Sequence, residues 1–302
     1  MPKIKYVDWK PRGDAKNIIA IAEEILNEYS AKGYQLTLRQ LYYQYVARDL
    51  LPNTEKSYSK LGDIISNARD AGMLDWDQIS DRGRTPRIRH DYGSLRSFTT
   101  RASRSFTLDL WEGQSTRVEV WVEKDALSQI VEQAAAYYGV TTFANRGYVS
   151  ASAMWESAQR LLNLPGQVNS VHILHFGDHD PSGIDMTRDI EKRLTLYAGE
   201  PNQDAGQTYK EVIVTRIALT MEQVTEYEPP PNPAKVTDSR FESYRKLYGD
   251  DSWELDAIPP DDLEELVKTG IQDLCDIDAL EDRREFETAE QQRLRDVANE
   301  IL

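Results

Sequence analysis

Residues 168–183 read VNSVHILHFGDHDPSG. The first nine form a short run rich in β-branched and aromatic residues, which predicts a buried strand. Behind it, Gly177, Pro181 and Gly183 predict a turn that aims Asp178 and Asp180 toward one place. The surroundings repeat the pattern. Strands are expected at 117–122 (RVEVWV), 139–144 (GVTTFA) and 211–219 (EVIVTRIAL). Helices are expected at 125–138, 151–164 and 184–197, the second stopping at Pro165-Gly166. Strands alternating with helices of this length predict an α/β unit whose mostly parallel sheet is covered by helices. The strands are too few for a barrel. A proline-rich crossing segment, 228–238, and two further helices, 261–278 and 281–301, complete this half.

In such a sheet the C-terminal ends of the strands share one edge, where ligands bind. Glu123 ends the first strand, so it is expected to meet Asp178 and Asp180. Bunched carboxylates repel, and their pKa values rise unless a cation compensates. Mg²⁺ suits hard oxygen ligands and can stabilise charge during phosphodiester cleavage, with Mn²⁺ as a substitute. Asp125 and Asp185 are reserve acids. Lys124 has two roles open to it, contacting phosphate or pairing with an acid. His179, between the two aspartates, has no partner histidine at metal-site spacing. The bland alternative is that these acids cap the helices at 125–138 and 184–197.

The first hundred residues differ. Helices are expected at 15–32, ending at Gly33, at 36–47 (LTLRQLYYQYVA) with Thr37 as N-cap, and at 57–71. Turns and short strands follow over 72–89. Three helices and a hairpin-like segment suit a winged-helix module, with a plain helical subdomain as the alternative. Arg39 and Tyr43, four apart, share a helix face. A guanidinium can favour the phenolate and hold a phosphate beside it, and a tyrosine oxygen can attack a phosphodiester. The other reading is packing, since Tyr42, Tyr43 and Tyr45 are three of 16 tyrosines.

The chain of 302 residues suits about two packed units. Its formal charge is -15, which argues against a general basic coat, but the charge is uneven. Arg82, Arg84, Arg87, Arg89, Arg96, Arg101 and Arg104 crowd one segment that holds a single acid, Asp91. That stripe suits a polyanion such as double-stranded DNA, or else an exposed linker. Cys275 is the one cysteine, so no intramolecular disulfide or cysteine-rich metal site can form. No run of 18 apolar residues occurs, and the opening MPKIKYVDWKPRGD has no apolar signal core, so a cytoplasmic, non-membrane protein is expected.

Several of these stretches resemble one family. LTLRQLYYQYV resembles the catalytic helix of the winged-helix domain in topoisomerase VI A subunits and the related meiotic double-strand-break proteins. VWVEKDAL and ILHFGDHDPSGIDM resemble the two acidic Toprim motifs, and ANRGYVSASA (144–153) resembles the loop between them. The likeness spans roughly residues 35–195, in the family's order. It implies an N-terminal extension (1–34), a winged-helix domain with the basic segment (35–104) and a Toprim domain with C-terminal helices (105–302). It also implies Tyr43 as nucleophile, Arg39 and Lys124 as its helpers, and Glu123, Asp178 and Asp180 as metal ligands. Glu254 and Asp256, in WELDAI, are candidate additional acids. The family cuts DNA as a homodimer, the tyrosine of one subunit working with the metal site of the other, and leaves a 5′-phosphotyrosyl link. Residues 1–34 are short against the region that contacts the ATPase B subunit. That counts against ATP-driven strand passage and points to a compact, stand-alone or mobile-element form in a bacterial, phage or plasmid setting. The rival readings are a hydrolytic Toprim nuclease in which Tyr43 only packs, and a non-catalytic DNA-binding or replication-accessory protein.

Overall fold

The computed structural model describes residues 3–79, 91–199, 201 and 203–300. Three helices open the chain: α1 (Ala15–Ala31), α2 (Leu38–Ala47) and α3 (Glu55–Asp70). α1 buries Ile18, Ala22, Ile25 and Tyr29, one face at helical spacing. It stops where Gly33 turns to φ 89°, with Gly33 N bonded to Ser30 O and Tyr34 N to Tyr29 O. α2 starts at a reciprocal cap: Thr37 accepts from Gln40 N at 3.2 Å, and the Gln40 side chain accepts from Thr37 N at 2.8 Å. The three helices close over one apolar core, so α1 packs with α2 and α3. Leu36 bridges to Ile79 beyond them. The hairpin expected up to residue 89 lies largely outside the described residues.

α4 (Leu95–Ser105) leads into the sheet. Its strands are β1 (Thr116–Val122), β2 (Thr141–Ala144), β3 (Ser170–Phe176) and β4 (Glu211–Ala218), all parallel, in the order β2-β1-β3-β4. The crossovers carry α5 (Ser128–Ala136), α6 (Ala151–Leu162) and α7 (Pro181–Ala198). Alternation decides which face each side chain takes. Val118, Val120 and Val122 of β1 join a core with α5 and α10 (Pro260–Gln272). Trp121, Val171 and Ile173 point the other way, into a core with α6 and α7. Both faces are thus covered, as parallel sheets require. The chain is a mixed α/β protein with a parallel four-stranded sheet flanked by helices.

β1 leads outward to β2 on one side, and β3 leads outward to β4 on the other. The gap between the C-terminal ends of β1 and β3 is therefore the point where the winding reverses, and a crevice opens there. Over this edge runs α8 (Met221–Tyr227), a two-strand ribbon of β5 (Asn232–Pro233) and β6 (Asp251–Ser252), and α9 (Phe241–Tyr248) between them. The segment is pinned by His179 and Trp253, which exchange backbone hydrogen bonds of 2.8 and 3.0 Å. α11 (Ile277–Glu300) closes the chain and packs on α4. Among the described residues no helix is long and apolar enough to cross a membrane.

Candidate functional site

Glu123 extends the β1 ladder, its N donating to Phe176 O at 2.8 Å. Its carboxylate turns to the neighbouring strand end and accepts from Asp178 N at 2.9 Å. Gly177 permits that approach, since a Cβ there would lie 2.9 Å from Glu123 Oε2. Asp180 caps α7, accepting from Gly183 N at 2.6 Å with Pro181 at the first helical position. The capping role and a place at the sheet edge coexist. Gly183 is needed because a Cβ would fall 2.1 Å from Asp178 O.

Lys124 is the hub of the edge. Its Nζ lies 2.9 Å from Asp178 Oδ2, 2.9 Å from Glu254 Oε2 and 3.2 Å from Asp256 Oδ2. The single turn at Leu255–Ala257 delivers the last two acids, and Leu255 N donates to Asp178 Oδ1 at 2.8 Å. Burial raises the Asp178 carboxyl to about 6, against the pull of Lys124. Burial and then the charge of Asp178 raise Glu123 to about 7. The same three acids hold the Lys124 ammonium far above its ordinary range despite the opposing effect of burial. Asp256 Oδ1 is buried with no hydrogen-bond partner. Among the described residues, no three His, Cys, Asp or Glu side chains are grouped as a metal-holding set.

α2 brings its own residues to this edge. Arg39 Nη1 lies 2.6 Å from Glu254 Oε2, so one carboxylate holds cations from both halves of the chain. The three tyrosines of YYQY then separate by environment. Tyr42 OH donates to the carbonyls of Pro52 and Thr54 and accepts from Thr54 N. Tyr45 OH donates to Ile18 O. Tyr43 instead lines a hollow together with Arg39, Asn232 and Glu254. Its phenol is pushed well up, first by burial and then by the Glu254 charge, while Asn232, Lys124 and Arg39 pull it back. A hollow of about 310 Å³ lies against Arg39, Tyr43, Asn232 and Glu254. A second, of about 280 Å³, lies against Arg39, Lys124, Asp178, Asp180, Asn232 and Glu254.

Other expected residues go elsewhere. Asp125 pairs with Arg146 at 3.0 Å. Asp185 pairs with Arg188 and Arg240 and accepts from Tyr148 OH. Their helices turn them toward these arginines. His179 bonds Tyr244 OH through Nδ1 at 2.8 Å and packs among Tyr244, Tyr248 and Trp253. Burial and the nearby Arg216 charge lower it to about 4, so it is a neutral packed imidazole. Arg96, Arg101 and Arg104 sit on α4 around an open hollow of about 780 Å³ that also includes Asp91. Arg82, Arg84, Arg87 and Arg89 lie outside the described residues.

Two residues of the site were not singled out from the sequence. Asn232 lies in the proline-rich crossing, which gives no local signal. Arg216, a charge inside the apolar run of β4, does give one. Its buried guanidinium donates to the carbonyls of Gly177, Asp178, Gly183 and Leu219 and to Thr187 Oγ1. It fixes the backbone on which both aspartates stand. No family model matches the chain, and no curated protein is found to be similar to it.

Proposed function

We propose that this chain cleaves double-stranded DNA by tyrosyl transesterification, as a homodimer of the type IIB topoisomerase A-subunit kind, with a winged-helix unit followed by a Toprim unit. The observation that carries the reading is the meeting of Arg39 and Tyr43 with Lys124, Asp178 and Glu254 at the reversal point of the parallel sheet. A fold-level likeness alone would not suffice. What matters is a phenol, two phosphate-binding cations and a set of carboxylates at one edge.

The donor chemistry fits a hard divalent cation. Glu123, Asp178 and Asp180 offer carboxylate oxygens, burial raises the first two of these acids, and Asp256, whose Oδ2 meets Lys124, has its Oδ1 buried with no hydrogen-bond partner. Glu123, Asp178 and Asp180 would hold Mg²⁺ once Lys124 gives up Asp178. When bound, Mg²⁺ supplies charge neutralisation at the phosphoryl oxygens. The chain's own groups do the rest. Arg39 holds the phosphate beside Tyr43, Lys124 offers a second positive charge, and Tyr43 attacks. Arg96, Arg101 and Arg104, together with the arginines at 82–89, would bind the DNA backbone.

End-labelled duplex incubated in Mg²⁺ or Mn²⁺ and quenched with denaturant tests this. Label is expected on the protein, lost in Tyr43→Phe and in Asp178→Ala. The burial of Tyr43, 4% exposed, is the observation favouring the second reading, a hydrolytic nuclease in which the phenol only packs. Cleavage without adduct, unchanged in Tyr43→Phe, would establish that reading instead. Binding without cleavage would favour an accessory DNA-binding role.

A further inference from the structure

The Arg216 guanidinium lies under the aspartate loop, and each of its five N–H donors has an acceptor. Nε donates to Leu219 O at 3.1 Å, and Nη2 to the carbonyls of Gly177 and Asp178. Nη1 donates to Gly183 O and to Thr187 Oγ1, both at 3.0 Å. The bond to Gly177 reaches furthest. A planar peptide carries its C=O and its N–H on opposite sides. Arg216 holds the carbonyl of the 177–178 peptide at 2.8 Å, and the N–H of the same peptide points at Glu123 Oε2, 2.9 Å away. A Cβ on Gly177 would fall 2.9 Å from Glu123 Oε2, 3.1 Å from His175 Cε1 and 3.5 Å from Arg216 Nη1, so these three side chains crowd one glycine.

Beyond Arg216 the hydrogen bonds run in one direction. A guanidinium only donates, so Thr187 Oγ1 accepts from it, and the Thr187 hydrogen is left for His175 Nδ1, 2.8 Å away. His175 is fully buried, and its ring nitrogens meet a hydroxyl and an amide, neither of which stabilises an imidazolium. A neutral ring that accepts at Nδ1 carries its hydrogen at Nε2. The Asn145 amide stands 3.1 Å from Nε2. Its Oδ1, buried and otherwise without a partner, takes that hydrogen when the amide turns its oxygen to the ring. Asn145 is itself fixed, its N donating to Val122 O at 2.8 Å. The chain of bonds thus crosses from the end of β2 through β3 and α7 to β4.

We infer that Asn145, His175 and Thr187 are positioning residues for the divalent ion. They form a one-way relay that locks Arg216 and, through the 177–178 peptide, sets Glu123 and Asp178 in the arrangement the ion needs. The inference rests on the reading of Glu123, Asp178 and Asp180 as its ligands.

Mn²⁺ binding, followed by the loss of the free ion's paramagnetic resonance signal, reads the site without any cleavage. Asp178→Asn runs beside the wild type and is expected to lose the site. Thr187→Val keeps the shape of the side chain and removes the hydroxyl. It is expected to bind Mn²⁺ about 10-fold more weakly, the scale on which lost outer partners act. Thr187→Ser returns the hydroxyl and should restore the affinity. Wild-type affinity in Thr187→Val would overturn the inference, and so would equal weakening in Thr187→Ser. Asn145→Ala combined with Thr187→Val should bind no more weakly than Thr187→Val alone; losses that add would break the relay into unrelated contacts. The wild type itself reports the direction of the bonds. Nitrogen-15 resonance of labelled histidine reads the tautomer, with His175→Gln identifying one of the four rings. A hydrogen on Nε2 and a bare Nδ1 are expected, and the reverse tautomer would overturn the relay. If the wild type binds no Mn²⁺, or Asp178→Asn binds it equally well, the ligand reading fails and the tautomer alone judges the relay.

Discussion

Replacing Lys124 with methionine removes the positive charge at the centre of the sheet edge and keeps most of the side-chain volume. Three carboxylates then face one another. Asp256 is 1% exposed in its side chain and Asp178 12%, so water cannot take over from the ammonium at either. Removing one partner of a buried ion cluster costs about 3–5 kcal/mol, because the remaining charges stay buried without compensation. For a chain of this size that corresponds to a fall of about 5–8 °C in melting temperature. The assay is thermal unfolding followed by circular dichroism, in chelator and then in rising Mg²⁺. With the lysine gone, the acids are open to a divalent ion. The variant is expected to regain about 2.7 kcal/mol at a hundredfold excess over the dissociation constant, and the wild type to gain less. A second variant, Lys124→Met with Asp256→Asn, should recover part of the loss without metal. A Lys124→Met protein that melts within about 2 °C of the wild type and ignores Mg²⁺ would refute the assignment of Lys124 as the counter-charge.

Gly183→Ala puts a Cβ 2.1 Å from Asp178 O and should displace the aspartate loop, abolishing adduct formation and lowering the melting temperature, whereas Gly166→Ala, with open space around it, should be near neutral in the same melts. His175 is buried between Asn145 and Thr187 and, through burial and then the Arg216 charge, has its pKa depressed to about 3. Its contribution is complete above pH 6.5 and is lost as pH falls, by about 2 kcal/mol at pH 5. Denaturant titrations at pH 7 and 5 should show a steeper loss in the wild type than in His175→Gln. Arg101→Ala and Arg104→Ala should weaken DNA binding uniformly across sequences, each reducing the salt slope by about 1 in a fluorescence titration over ionic strength.

The sheet was legible because parallel strands covered on both faces must be continuously apolar. RVEVWV and VNSVHILHF come near it, being rich in β-branched and aromatic residues, while the buried Arg117 and Glu119 are paired with Asp109 and Arg160; the strand-end acids then follow from topology. α4 was not legible as a helix. Its arginines, serines and threonines give no apolar stripe, and Ser103 is its one buried residue. α9 escaped for a related reason, burying Phe241 and Tyr244 alone in eight residues. Asp125 and Asp185 looked equivalent to the site acids because both lie within a few residues of them. Their distance from the edge depends on which way a helix turns and on arginines far off in sequence. The separation of Tyr43 from Tyr42 and Tyr45 likewise depends on Pro52, Thr54 and Ile18, which no local pattern links to them.

The N-terminal helices and the sheet keep separate apolar cores, and Tyr34 packs against both. Around that ring the named contacts across the seam are polar: Lys32 with Asp261, Tyr34 with Glu264, Arg39 with Glu254 and Asn53 with Asn232. Such a seam responds to ionic strength in a way that neither core does. Raised salt is therefore expected to weaken the ion pairs of the joint while both cores keep their apolar contacts, so a change of medium is felt first at the seam.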